Sequence, residues 1–375
     1  MELPRVDVPF VDLLPSHAAI KDLIIADVSR IIDEGRFVNG PEVALFEADF
    51  ARYCGTAACV GMANGLDAVR LALLALGIEP GDQVIVPAST FVATFEAVSQ
   101  AGGRPVPVDV TEDDLNNGVA AAEAAITKRT RFLLPVHLYG QMADMGRLKE
   151  LAERHDLKIV EDACQAHGAE RDGVRAGAGG DAGAFSFYPA KNLGAMGDAG
   201  ALVTDDLEAA RRARALREHG QCAKYQHAYQ GYTARLDTIQ AAVLLRKLRF
   251  LNQWNESRRV AAELYAEALA GIGDLRLPPV PAGSHPVWHV YPVRTKRPEE
   301  LAEFLHGRGI GTSRHYPCPP HLSEAYAHLG LARGAFPLSE ALSDQVLSLP
   351  MFPGISSEQI VAVAVAIRAF FEKRV

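Results

Sequence analysis

One lysine stands out by its setting. In FSFYPAKNLGAMGDAGALVT (185–204), Lys191 lies between an apolar, strand-like run and glycines at 194, 197 and 200. An ε-amine forms a Schiff base with an aldehyde, and desolvation lowers its pKa from about 10.4 so that it also serves as a base. The three glycines allow the loop to fold back tightly, although a lysine in a surface turn would look similar. Two further segments bear on that chemistry. In LKIVEDACQAHGAE (157–170), Glu161 and Asp162 close an apolar strand, where a buried carboxylate needs a cationic or donor partner. An aromatic nitrogen base is one such partner: a carboxylate bonded to a pyridine keeps it protonated, as pyridoxal phosphate requires in order to draw electrons from a carbanion. A strand-end Asp that caps the next turn is the plainer alternative. In GMANGLDAVRLALLAL (61–76), a strand ends in a small loop and a helix starts near Asp67. The first amides of that helix are unpaired and, with its dipole, form an anion site that Gly65 lets a phosphate approach closely. An ordinary capped helix has the same pattern. Ser186, five residues before Lys191, is placed to donate its hydroxyl to the same phosphate.

These residues follow strands, and the elements that must hold them read as a mostly parallel sheet. From about 57 to 204, the runs ACVGM, QVIVPA, RPVPVDV, RFLLPVHL, KIVEDA, GAFSFY and ALVT alternate with helical patterns. In such sheets ligands sit at the carboxyl ends of strands. An amphipathic helix over 17–34, the loop GRFVNG and a second helix near 41–53 form an N-terminal arm. A helix over roughly 206–218 precedes a polar loop, and 236–269 reads as one long helical stretch. Beyond about 275 comes a compact α+β part. The expected division is an arm and large domain over 1–250 and a small domain over 251–375, in keeping with a chain of 375 residues.

Bulk properties exclude several classes. A net charge of −8 argues against wholesale binding to nucleic acid, so an anionic ligand must be met by a local cluster of donors. The five cysteines have no C-x-x-C spacing and no signal-peptide start precedes them, which leads us to expect a reduced, cytoplasmic protein. Apolar runs such as IVAVAVAI (360–367) fall short of the ~20 residues needed to cross a bilayer. Neither His285 and His289 nor His315 and His321 have a Cys or carboxylate at ligand spacing, so no metal is expected. GAGGDAG (177–183) precedes a strand rather than a helix and fails as a dinucleotide fingerprint.

In chain order, NGLDAVRLAL, PASTFVATFEAV, PVHLYGQMADM, VEDACQAHGA, FSFYPAKNLGAMGDAGALVT, RLDTIQAAVL and HYPCPPHLSEAY resemble the DegT/DnrJ/EryC1/StrS family of pyridoxal-phosphate-dependent aminotransferases, from about residue 8 to the C-terminus. The resemblance implies an α/β protein of fold type I, with a large domain built on a mostly parallel sheet and a smaller C-terminal α+β domain. Within the family, the sequence is most similar to enzymes that aminate nucleotide-linked keto sugars. REHGQCAKYQH and VWHVYPVRT look most like the branch acting at C3 of dTDP-3-keto-6-deoxyhexoses in deoxyamino-sugar biosynthesis, with L-glutamate as donor.

By that resemblance Lys191 is the Schiff-base lysine and proton carrier, Asp162 the partner of the pyridine nitrogen, and Gln165 a donor to the cofactor's phenolic oxygen. Gly65, Leu66 and Ser186 hold the phosphate, and Phe91 stacks on the ring. Thr233 stands where many relatives have an asparagine that reaches the phosphate in the neighbouring subunit, so a homodimer with shared active sites is implied. Lys224, Tyr225 and Arg235, with His315, Tyr316 and His321 from the smaller domain, are the candidates to meet the nucleotide sugar. Threonine at 233 is shorter than asparagine, Leu66 replaces a common threonine and leaves only its amide, and Ala199 replaces a usual glycine. A keto-cyclitol aminotransferase, a deoxygenating relative and a non-catalytic binding protein of the same fold are the alternatives. The presence of Lys191 and Asp162 speaks for transamination.

Overall fold

The structure, a computed structural model, describes residues 7–372. The ends of the two expected domains, 1–6 and 373–375, lie outside the described residues. Seven strands form the central sheet: β1 (Ala58–Met62), β2 (Gln83–Pro87), β3 (Arg104–Val108), β4 (Thr130–Leu133), β5 (Lys158–Asp162), β6 (Ala182–Ser186) and β7 (Gly200–Thr204), in the order β1-β7-β6-β5-β4-β2-β3. Successive residues of a strand feed two different cores. Val84 and Val86 pack on one face with Val60, Leu134 and Val160, and Ile85 on the other with Leu133, Ile159 and Phe185. Strands covered on both faces have no polar side, which is why they read as β-branched runs.

Register places the chemistry. β7 alone opposes the other strands, because the chain leaves β6, makes the lysine loop and returns beside it. Ser186 pairs with Gly200, Gly200 with Met62, and Asp162 with Ala184 on the far side of β6. The carboxyl ends of β1, β5 and β6 therefore lie side by side. The helix Gly65–Ala75 begins two residues before the expected start near Asp67, since the Asn64 side chain accepts the Asp67 amide at 2.8 Å and caps it.

The single helix expected over 236–269 is two, Thr238–Leu248 and Leu251–Leu269. Neither proline nor glycine breaks it. The turn sends Leu251 into the large core, while Phe250 and Trp254, with ring centroids 5.9 Å apart, pack on Ile20, Ile24 and Val243 where the arm helix Lys21–Glu34 crosses. The second helix runs into a C-terminal core that joins Tyr265, Tyr291, Leu347 and Ile367, and Val8 enters that core through its bridge to Ile310.

Glu161 is fully buried beside the sheet, and its surroundings explain how a charge is held there. Its carboxylate accepts the amides of Gly177 (2.9 Å), Gly179 (2.7 Å) and Gly180 (2.8 Å), and lies 2.7 Å from His137 Nε2. The Ala143 amide donates to His137 Nδ1, so the ring proton sits on Nε2 and is given to Glu161. The glycine-rich loop thus cradles a carboxylate of its own chain. Removing one partner of such a buried charge is costly. Glu161→Gln should lower the unfolding free energy by roughly 3 kcal/mol, read as a drop in the urea midpoint. An unchanged midpoint would contradict this account.

Candidate active site

At the carboxyl edge of the sheet lies a cleft of about 570 Å³. It is lined by Gly65, Leu66, Phe91, Asp162, Gln165, Ser186, Lys191, His315 and Tyr316, nine of the residues singled out in the sequence. Gly65 is where it is for lack of room: a Cβ there would stand 2.6 Å from Ser186 Cβ and 2.8 Å from Cys164 Sγ. The open helix start and the Ser186 hydroxyl are thereby brought to one wall. Leu66 is half-buried and packs against the core, so its amide is what it offers the cleft.

The loop carrying Lys191 is clamped by side chains from far along the chain. Asn192 donates to Asn255 Oδ1 (2.9 Å) and to the Val287 carbonyl (2.8 Å), and buried Lys247 donates to the Gly194 carbonyl at 2.6 Å. Gly194 has no space for a Cβ, which would strike the Pro189 carbonyl. Burial pushes the Lys191 amine down from its ordinary pKa, against the opposing pull of the Asp162 carboxylate. An amine so placed gives up its proton more readily than a surface lysine.

Asp162, at the end of β5, is 7% exposed. Thr94 Oγ1 donates to its Oδ2 at 2.8 Å, and the Cys164 amide to its Oδ1 at 3.2 Å. Gln165 is oriented by its partners: Oε1 accepts the Tyr139 amide (2.7 Å) and Nε2 donates to the Tyr316 hydroxyl (3.0 Å). Tyr316 reaches in from the C-terminal part, its ring 5.1 Å from that of Phe91, and Tyr139 Oη holds the preceding carbonyl, that of His315, at 2.6 Å.

Five of the singled-out residues do not line this cleft. Lys224 and Tyr225 project from the exposed hairpin at 221–227, Tyr225 with 81% of its surface free. Arg235 is paired with Glu218 at 2.7 Å, and Thr233 Oγ1 lies on the surface, 3.3 Å from His219 Nε2. His321 corrects the sequence reading. It is 1% exposed, its Nε2 lies 3.2 Å from Glu340 Oε1 and its ring abuts Phe336, so within this chain it holds the proline-rich segment in place and does not line the cleft. Conversely, the cleft is also lined by Thr90, Cys164, Tyr188 and His289, which the sequence reading did not assign to it. Tyr188 stands three residues before Lys191, two beyond the end of β6, and that nearness to Lys191 was the available signal. His289 carried none.

Residues 18–368 match the DegT/DnrJ/EryC1/StrS aminotransferase family, and the chain belongs to it. It is 49% identical over 372 residues to the dTDP-3-amino-3,4,6-trideoxy-α-D-glucose transaminase of Streptomyces venezuelae, an alignment that covers 99% of this chain and 98% of the relative. Identity is 45% over 361 residues with the UDP-N-acetyl-3-dehydro-α-D-glucosamine 3-aminotransferase of Acidithiobacillus ferrooxidans, covering 96% and 97%. The X-ray structure of S. venezuelae DesV in complex with an intermediate superposes with a TM-score of 0.96 at 49% identity, over the whole of both chains. The fold is fold type I of the pyridoxal-phosphate enzymes, and structures within the family hold that cofactor or its aminated form.

Three imidazoles stand behind or beside the cleft. His167 donates Nε2–H to the Ser186 carbonyl (2.9 Å), His289 Nδ1 lies 3.3 Å from Asn192 Oδ1, and His315 Nδ1 lies 2.9 Å from Ser348 Oγ. Burial pushes all three below the ordinary histidine value, His167 to about 3 and His315 to about 4, with the Lys191 charge adding to the effect. They stay neutral in the folded protein where the unfolded chain has them protonated. The unfolded state then binds more protons, so stability is complete above about pH 6.5 and declines as the pH falls toward 4, by up to about 1.4 kcal/mol per pH unit for each histidine. Urea midpoints of the apoprotein should fall between pH 7 and pH 5, with a shallower slope in His167→Gln. An identical slope in that variant would count against the assignment.

Proposed function

We infer that this member of the family transfers the amino group of L-glutamate to the keto carbon of a nucleotide-linked sugar, a dTDP-3-keto-6-deoxyhexose, and does so as a homodimer whose partner completes each cleft. The observation that carries the reading is one cleft in which the desolvated Lys191 amine, the Asp162 carboxylate and the open helix start at Gly65 converge. The choice of sugar draws on the S. venezuelae relative, whose named activity concerns a dTDP-linked 3-amino sugar. The A. ferrooxidans relative, named for a UDP-linked sugar, agrees on amination at C3 and differs in the nucleotide.

The residues present fit pyridoxal 5′-phosphate. Its phosphate would be held by the Gly65 and Leu66 amides and the Ser186 hydroxyl, at a wall that a Cβ on residue 65 would fill. Asp162 would hold the ring nitrogen, Phe91 would cover one ring face, and the second hydrogen of Gln165 Nε2 would reach the phenolic oxygen. When bound, the cofactor supplies an aldehyde that condenses with amines and a ring that withdraws electrons from the adjoining carbon. Lys191 Nζ would be the amine that meets that aldehyde and would also hold and move the substrate's proton, a task its lowered pKa suits. Asp162 would keep a proton on the ring nitrogen, and Tyr316, tied to Gln165, would cover that side of the cleft.

Among the described residues lining the cleft, Lys191 is the one lysine or arginine. A diphosphate bears about two negative charges and calls for charge-assisted donors. Lys224, Tyr225 and Arg235, on or beside an exposed hairpin, would supply them to the partner's cleft, and Thr233 would reach the partner's cofactor phosphate. His315 and Tyr316 would meet the sugar from within the same chain. The division between the cofactor-binding part and the smaller part would fall at the helix break near residue 250.

Four outcomes test this reading. The purified protein should be yellow, with absorbance near roughly 420 nm that Lys191→Ala abolishes together with turnover; a variant that kept both would overturn the role of Lys191. Offered L-glutamate and a panel of keto sugars with a free inosose, the enzyme should aminate the dTDP-linked 3-keto sugar in preference to the others, and a preference for the inosose would replace the substrate assignment. Lys224→Ala should raise KM for the nucleotide sugar and leave the glutamate half-reaction unchanged. Mixed dimers of Lys191→Ala and Lys224→Ala chains should recover the ordinary KM in the site that has both lysines, which a self-contained subunit would not do.

A further inference from the structure

We propose that Thr90 and Thr94 form a hydroxyl relay that sets the orientation of the Asp162 carboxylate and locks it to the segment carrying Phe91, which makes Thr94 a positioning residue for the cofactor ring. This rests on the reading of Asp162 as the partner of the ring nitrogen.

The geometry has a fixed direction. Thr94 Oγ1 is 2.8 Å from Asp162 Oδ2 and also 2.8 Å from Thr90 Oγ1, and both threonines are at most 2% exposed. A carboxylate has no proton to give, so the single hydroxyl proton of Thr94 goes to Asp162. Thr90 must then donate to Thr94. The chain of donation runs Thr90 to Thr94 to Asp162, and a bond to an ionised acceptor is the strong kind. On the other oxygen, the Cys164 amide holds Oδ1. With one donor on each oxygen, the plane of the carboxylate is set, and the remaining lone pairs of Asp162 are left for the cleft that it lines.

What these hydroxyls do not do is equally telling. The helix Val92–Gln100 has Phe91 at its N-cap, with no side-chain cap, although a serine and a threonine precede it. Hydroxyls in such positions commonly bind the free amides of the first turn, and a helical threonine commonly bonds the carbonyl four residues back. Here the Thr94 hydroxyl is directed instead to a carboxylate 68 residues away, and that of Thr90 to Thr94. The same five residues, Thr90 to Thr94, thus carry the aromatic ring that faces the cleft and the donors that hold its carboxylate. One rigid turn fixes the distance between the face and the edge of whatever planar ring is bound.

The test is a double-mutant cycle on cofactor affinity, measured by titrating apoprotein with pyridoxal phosphate, alongside kcat. Thr94→Val keeps the shape and removes the hydroxyl. It should weaken cofactor binding and lower kcat, by about tenfold together, and Thr94→Ser should restore both. In an Asp162→Ala background, Thr94→Val should add nothing further. If it weakens binding equally with and without Asp162, or if Ser fails where Val fails, the hydroxyl acts only in packing and the relay is wrong while Asp162 keeps its role. If Asp162→Ala alone changes neither affinity nor rate, it is the reading of Asp162 that falls. Should Thr94→Val not fold, as judged by circular dichroism, Thr90→Val carries the test: it removes only the upstream donor and should produce a smaller loss in the same two quantities, absent in the Asp162→Ala background. No loss in Thr90→Val would overturn the relay.

Discussion

The cleft depends on three backbone segments meeting with no room for a side chain between them. The turn at Asn64 and Gly65, the end of β6 at Ser186 and the start of β7 at Gly200 lie in one row of the sheet. A Cβ on Gly200 would strike the Asn64 carbonyl, and one on Gly65 would press on Ser186 and Cys164. Only with that closeness can a helix start on one strand and a hydroxyl on another address the same small volume. The lysine loop leaves β6 at Ser186 and returns as β7 at Gly200, so topology delivers its amine to the same place.

Holding the loop there requires buried polar groups, and each has partners. Lys247 donates a hydrogen bond to the Gly194 carbonyl, and Arg258 serves the carbonyls of Trp288, His289 and Met351 together. Glu161 is answered by three amides and an imidazole, and Asn192 ties the residue after Lys191 to Val287. Unpaired, any of these would cost several kcal/mol. Paired across segments far apart in the chain, they favour one arrangement over other compact ones, which hydrophobic burial alone does not do. The segment 287–289 is thereby bound both to the lysine loop and to the long helix of the C-terminal part, so a shift of that part would be felt at Lys191.

How much of this could be read from the chain follows from the range of each interaction. The strands, the lysine loop and the anion-binding turn are local patterns, and they were legible, as were Gly65, Asp162, Ser186 and Lys191 as neighbours at strand ends. The break at Arg249 and Phe250 was not: no breaker residue marks it, and it arises because Leu251 and Phe250 belong to different cores. Thr94 was passed over within a motif chosen for Phe91, since its partner lies 68 residues on. His321 was placed on the wrong side for the same kind of reason, its partner Glu340 being a helix residue with no visible claim on it in sequence. The glycine-rich stretch at 177–183 was set aside as a nucleotide motif, but that its amides cradle Glu161 could be known only from the fold.

Charge decides what the single chain lacks. The cleft presents Asp162, Glu96 and Asp198 with one lysine, within a molecule of net charge −8. Such a surface repels a dianion unless cations are brought close, because screening leaves only short-range pairs effective at physiological salt. Among the described residues, the lysine of the hairpin at 221–227 meets only the ring of Tyr225, 5.4 Å away. Close by in sequence to neither, the arm leaves Ile25, Ile32, Phe37, Val38 and Leu45 about half exposed, more apolar surface than a solvated arm needs. Burying that surface against a second copy would hold the hairpins in fixed places, and a two-fold axis would give each cleft the same cations. In the proposed dimer, then, affinity for the nucleotide would be a property of the assembly, while the lysine, carboxylate and helix start that do the chemistry remain within one chain.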